Sequence, residues 1–261
     1  MNDTELLNKI FYKDNNYDSI DNLYKKAKIA HPSITKQFVK EWLSLQQVAQ
    51  TNNNQVEKRE FLPIYAETPY SFQIDLTFLK YKKQNDGNYV LFTAININTR
   101  YAYAYYAKDK LMSTILSLLK RMEKKTIINS ITCDKGTEFV NSDFIKYCND
   151  ENISLYFVKA DGHKLGIINR FHRTLKSKID KHFVANDTVR YVDVLDKIIS
   201  NYNNTVNTGI GYKPNEVSDA IENQIVNEKK QETIDIQSKL PEIKVGDYCR
   251  IRNKKGVFDK E

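Results

Sequence analysis

FQIDLTFLKYKKQNDGNYVLFTAININTRYAYAYYA, residues 72–107, contains three consecutive strand-like runs, at 72–81, 89–98 and 100–107. β-branched and aromatic residues dominate each run, and Asp86-Gly87 between the first two is a hairpin signal. Toward the C-terminus, Leu111, Ile115, Leu118 and Leu119 recur at helical spacing within 111–121. A short strand at 128–133, a helix at 142–149, a strand at 153–158 and a helix from about 164 to 182 follow, the last with Ile168, Phe171, Leu175 and Ile179 on one side. Three strands, then helices alternating with two more strands, predict an α/β fold with a mixed five-stranded sheet flanked by helices.

Residues 4–13, 19–30 and 33–47 read as helices of a small N-terminal domain, 1–50, with Ser33 as an N-cap after Pro32. This head suits either a packing or dimerisation domain or a helix-turn-helix, with Lys25, Lys26, Lys28, Lys36 and Lys40 as phosphate contacts. Residues 51–70 read as a linker, 71–185 as the core, and 186–221 as a helical extension with an amphipathic helix over 187–202. The polar stretch 222–241 reads as a second linker. The alternating residues 242–261 read as a truncated β module, too short to close a five-stranded barrel.

Forty Lys and Arg against 33 Asp and Glu give a formal charge of +7, which fits a polyanionic partner. With 8 Gly and 5 Pro, collagen-like and Pro-rich classes are excluded, and no apolar run approaches the roughly 20 residues of a membrane span. The opening MNDTELLNK lacks the marks of a secretory signal, and three unpaired cysteines, Cys133, Cys148 and Cys249, predict an intracellular, reducing setting. Before Cys133 the only candidate zinc ligand of the His/Cys type is His31, so no zinc site of that kind is expected there.

Asp75 interrupts an apolar strand, where a carboxylate is costly unless paired or metal-bound; the alternative is a solvent-facing Asp on an edge strand. Asp134 closes a strand before a Gly turn, a place that also suits a simple turn Asp. Between positions 159 and 182 there are seven Lys or Arg and two acids, and four of the eight Arg are Arg170, Arg173, Arg250 and Arg252. Arg173 and Lys176 follow position 169 at four and seven residues, so with Arg170 they suit a phosphate backbone running past the helix; a merely solvated face is the alternative.

QIDLT at 73–77, CDKGTEF at 133–139, NRFHRTLKSKI at 169–179, YNN at 202–204 with Pro214, and KVGDYCRIRNKKGVFDK at 244–260 together resemble the retroviral-type integrase and DDE transposase superfamily, closest to integrases of Polinton (Maverick) elements and their viral relatives. The resemblance implies an RNase H-like core, a C-terminal SH3-like or chromo-like module, and metal-dependent cleavage and joining of DNA ends. It implies Asp75 and Asp134 as ligands of Mg²⁺ or Mn²⁺, with Asn169 at the third catalytic position, 35 residues after Asp134. It also implies double-stranded DNA, as element ends and target, bound by Lys159, Lys164, Arg170, Arg173, Lys176, Arg250 and Arg252, a homo-oligomer, and a place in the nucleus or a viral factory. The family reads Glu-Arg-Phe-Asn-Arg-Thr-Leu-Lys where this chain has Asn169 through Lys176. An amide carries no charge, so weakened metal occupancy and impaired strand transfer are expected. Glu138 and Asp161 are the candidate substitute acids, neither at the helical position of the family Glu, while His163, His172 and His182 are expected on solvated positions. A catalytically inactive DNA-binding relic and an RNase H-like nuclease are the competing readings.

Overall fold

The computed structural model describes residues 2–46, 62–158 and 163–239. Five strands form one sheet: β1 (Ser71–Phe78), β2 (Val90–Asn96), β3 (Ala102–Ala107), β4 (Ser130–Asp134) and β5 (Ser154–Val158), ordered β3-β2-β1-β4-β5. β1, β2 and β3 are antiparallel neighbours, whereas β4 runs parallel to both β1 and β5. This is the mixed α/β sheet expected of an RNase H-like core. Asp86 and Gly87 both have positive φ, 55° and 85°, as the Asp-Gly signal requires, but they sit in a longer connection that includes a short 3₁₀ turn at Lys83–Asn85.

Alternation along β1 assigns its two faces. Phe72, Ile74 and Leu76 pack with α4 (Met112–Glu123) and α5 (Ser142–Asp150) in one core, joined by Ile115, Leu119, Phe144 and Cys148. On the other face Leu91 and Ile95 of β2 pack with α6 (Gly166–Asn186) and α7 (Leu195–Asn203), through Ile168, Phe171, Leu175, Ile179 and Ile198. There β1 offers only polar residues, Ser71, Gln73, Asp75 and Thr77. Burying a polar row under a helix is unfavourable unless each group is bonded.

The head comprises α1 (Asp3–Asn8), continued by a π turn, α2 (Ile20–Ala30) and α3 (Lys36–Ser44), around its own core of Leu7, Phe11, Leu23, Val39 and Trp42. Its cap is Thr35 rather than Ser33, so α3 starts three residues later than the sequence suggests. Buried Lys178 of α6 fixes the head to the core by donating to the backbone carbonyl of Asn16 and to Asp18 at 3.1 Å.

Two expectations need correction. The helix read over 187–202 begins only at Leu195, because Asp187 ends α6 in the left-handed conformation (φ 46°) and Tyr191 plugs the core with its N–H on Asn85. The stretch read as a linker over 222–241 belongs largely to a 20-residue helix, α8 (Asp219–Ser238), capped by Ser218 and rich in Glu, Lys and Gln; only Glu222 and Ile225 of it are buried. The β module assigned to 242–261 lies outside the described residues.

Candidate active site

The last paired residues of β1 and β4 are Gln73 and Thr132, and Asp75 and Asp134 lie two positions beyond them on the same side of adjacent parallel strands. Asp75 accepts a hydrogen bond from the Leu76 N–H at 2.7 Å. Burial, followed by the charges of Asp134 and Glu138, outweighs that bond and Lys176 and pushes the Asp75 carboxyl up to about 6. Asp134 and Glu138 converge around Gly136, whose N–H donates to Asp134 at 3.0 Å; a Cβ on Gly136 would stand 3.0 Å from Asp134 Oδ1 and 2.9 Å from Glu138 Cδ. A side chain at this position would have to push both carboxylate ends aside.

α6 crosses this edge of the sheet. Gln73 fixes its start by donating to the Lys164 carbonyl at 2.6 Å and accepting from Ile168 N–H at 3.0 Å, so satisfying one of the helix's free N-terminal donors. One turn on, His172 places Nδ1 3.6 Å from Asp75 Oδ2 and Nε2 2.6 Å from Thr93 Oγ1. The Thr93 hydroxyl donates to the Asp75 carbonyl at 2.8 Å, so it accepts from His172 Nε2–H and leaves the Nδ1 lone pair facing the carboxylate. Burial, aided by Lys176, pushes His172 down to about 4 and keeps it neutral at pH 7.

Asn169 is exposed on α6, three residues before His172 and therefore on the same side of the helix. Lys176 shares that side and acts on Asp75 electrostatically. Lys164, Arg170 and Arg173 are exposed, but the spacing turns Arg170 to the opposite side of α6 from His172. Lys159, Asp161, Arg250, Arg252 and Cys249 lie outside the described residues. His172 and His182, expected on solvated positions, are both largely buried because α6 packs on the sheet along most of its length. Lys178, counted within the basic run, is likewise internal. In the head, Lys26 is bonded to Asp18 at 2.7 Å and Lys36 to Asp21 at 2.6 Å, while Lys25 and Lys40 are exposed.

Gln73 and His172 are the site residues that sequence reasoning did not select. The polar parity of QIDLT was a usable signal for Gln73; the role of His172 depends on where α6 crosses β1. Among the described residues no group of three or more His, Cys, Asp or Glu side chains is arranged to hold a metal ion, and no helix is long and apolar enough to cross a membrane. Cys133 and Cys148 are free and buried, and burial raises both thiols.

No protein-family model matches the chain. It is 32% identical over 189 residues to an uncharacterized transposon-derived protein of Caenorhabditis elegans, across 69% of this chain and 61% of that relative. Similar solved structures include the trimeric HTLV-2 integrase catalytic core domain in complex with magnesium, at 18% identity, 61% coverage of this chain, 99% of that one and a TM-score of 0.49. A simian T-cell lymphotropic virus intasome bound to a PP2A regulatory subunit is 19% identical, with 68% and 64% coverage and a TM-score of 0.49.

Proposed function

We propose that the chain belongs to the RNase H-like integrase and transposase superfamily, binds double-stranded DNA ends and performs their metal-dependent cleavage and joining at Asp75 and Asp134, in a form weakened by Asn169. The carrying observation is the Asp75 carboxyl, raised to about 6 by burial and by Asp134 and Glu138. Carboxylates that repel one another just past the end of the parallel pairing of β1 and β4 fit a divalent cation, and hard oxygen donors favour Mg²⁺ or Mn²⁺. A pair of such ions supplies activation of the attacking oxygen and stabilisation of the leaving oxygen in an in-line phosphoryl displacement.

Asp75 and Asp134 are the ligands in this reading. Neutral His172 contributes no positive charge to compete for the site, and Lys176 offsets part of the carboxylate repulsion. The amide of Asn169 offers an oxygen without charge, which leaves the third position poor in affinity. Lys164 and Arg173, with Lys159, Arg170, Arg250 and Arg252, contact phosphates. Self-association, a Polinton-type affiliation and action where the element's DNA resides, in nucleus or viral factory, belong to the same reading.

The uncharged amide of Asn169 at the third position favours a second reading, a DNA-binding protein whose site no longer turns over. Incubation of the purified chain with a labelled element-end duplex and Mn²⁺ separates the two. Nicked or joined products that disappear in Asp75→Asn support the enzyme; binding of the duplex without products in any metal supports the second reading; failure to bind DNA removes both.

A further inference from the structure

A second site lies across α6 from the carboxylates. A groove of about 610 Å³ opens between α6, the head and the loop after α7. Arg170, Thr174, Ser177 and Lys181 border it at spacings of three and four residues, on the side of the helix opposite His172 and Lys176. Ile167 and Tyr202 give it an apolar floor, backed by the buried Ile95 and by Phe171, whose ring lies 4.9 Å from that of Tyr202.

Arg100 lines the groove from the turn between β2 and β3, where it holds φ 62°. Its Nη2 reaches the Ile64 carbonyl only at 3.5 Å, and its Nη1 is buried without a hydrogen-bond partner among the described residues. Burial, reinforced by the nearby Arg170, pushes the guanidinium down to about 10, against the favourable influence of Tyr202. Among the described residues no carboxylate pairs with Arg100, Arg170 or Arg173. Among the described residues the one acid bordering the groove, Asp18, is already engaged by Lys26 and Lys178.

An unsatisfied buried donor beside a second cation is unfavourable, and one anion relieves both defects. The guanidinium fork matches phosphate oxygens, and two forks favour phosphate over a single carboxylate. A bare phosphate would leave the apolar floor open, whereas the volume is that of a small-molecule pocket. We propose that this groove binds a nucleotide unit, with Arg100 and Arg170 on its phosphate and its base against the floor formed by Ile167 and Tyr202. The site needs neither a metal nor the carboxylates, and of the phosphate contacts to which the proposal here assigns a role it shares only Arg170 with the DNA binding proposed above. The nucleotide is either free or part of a DNA strand.

Calorimetric titration of the full chain in EDTA tests this, using deoxyadenosine monophosphate, deoxyadenosine, inorganic phosphate and a deoxyadenosine tetranucleotide. The monophosphate binds at least tenfold more tightly than either the nucleoside or inorganic phosphate, and Asp75→Asn leaves its affinity unchanged. Arg170→Gln, at an exposed position, weakens it at least tenfold, as does Arg100→Gln. A tetranucleotide that binds more tightly than the monophosphate, and is weakened by Arg170→Gln, identifies a strand as the source; equal or weaker binding identifies the free nucleotide. No binding of either probe, inorganic phosphate equal to the monophosphate, or undiminished binding by Arg170→Gln overturns the proposal.

Discussion

Asp75 and His172 pull the pH dependence of folding in opposite directions. The Asp75 carboxyl is raised from 3.8 to about 6, so the stability associated with its protonated form is present below the unfolded value and is lost as pH rises through about 6. His172 is lowered from 6.5 to about 4, so its contribution is present above 6.5 and is lost as pH falls through about 4. In EDTA the two partly cancel between those limits. Asp75→Asn removes the carboxylate that is costly at neutral pH, and should stabilise the metal-free protein at pH 7 by about 2–3 kcal/mol, a gain that fades near pH 4. Urea unfolding at both pH values measures this. Added Mg²⁺ should raise the melting temperature of the wild type and leave Asp75→Asn unmoved. Asn169→Glu tests the third position, because it restores a carboxylate one turn before His172 on the same side of α6. Mn²⁺-dependent nicking of an end duplex should rise at least about tenfold, worth about 1.4 kcal/mol in the barrier, and an unchanged rate counts against Asn169 as the weak point.

Between elements, the placement of the site depends on how β1 meets α6. Gln73 bonds both the Lys164 carbonyl and the Ile168 N–H, so Gln73→Leu removes an acceptor and a donor at a buried helix start. The expected loss is about 1–3 kcal/mol in urea unfolding, with faster hydrogen exchange at Ile168; unchanged protection of that amide would show that packing alone positions the helix. The order of strands and helices in the core was legible because each element has its own period and turn residues, and Asp75 and Asp134 stood out as acids at strand positions. Less was legible where local pattern and tertiary packing disagree. Tyr191 repeats at helical spacing with Leu195 and Ile198, yet it is buried as a plug after the left-handed Asp187, not as part of α7. The polarity of α8 suggested a linker, although its residues are good helix formers. His172 looked like a surface residue because nothing in its neighbourhood along the chain encodes the approach of Thr93 and Asp75.

Across the whole molecule, the excess of basic residues divides into internal and available charge. Lys178 and Lys26 converge on Asp18, whose side chain is 2% exposed, and thereby join the head to α6; Lys181 also donates to the Tyr17 carbonyl at 3.4 Å. Lys164, Arg170 and Arg173 remain exposed on or beside α6. The two populations should respond differently to substitution. Burial lowers Lys178, and Asp18 is what opposes that shift, so Asp18→Asn leaves a buried ammonium without its counter-charge. Removing one partner of a buried ion pair costs about 3–5 kcal/mol, and here the loss falls on the contact between head and core. Asp18→Asn should therefore expose the head to limited proteolysis before the core unfolds. The defect should shrink as pH rises toward the ordinary lysine range, about 10, because Lys178 then sheds the charge it cannot pair. Lys36→Ala breaks an exposed, solvent-screened pair with Asp21 and should leave stability nearly unchanged. Equal effects of the two substitutions, or a head that stays protected in Asp18→Asn, would mean that apolar packing rather than this ion cluster holds the head against α6.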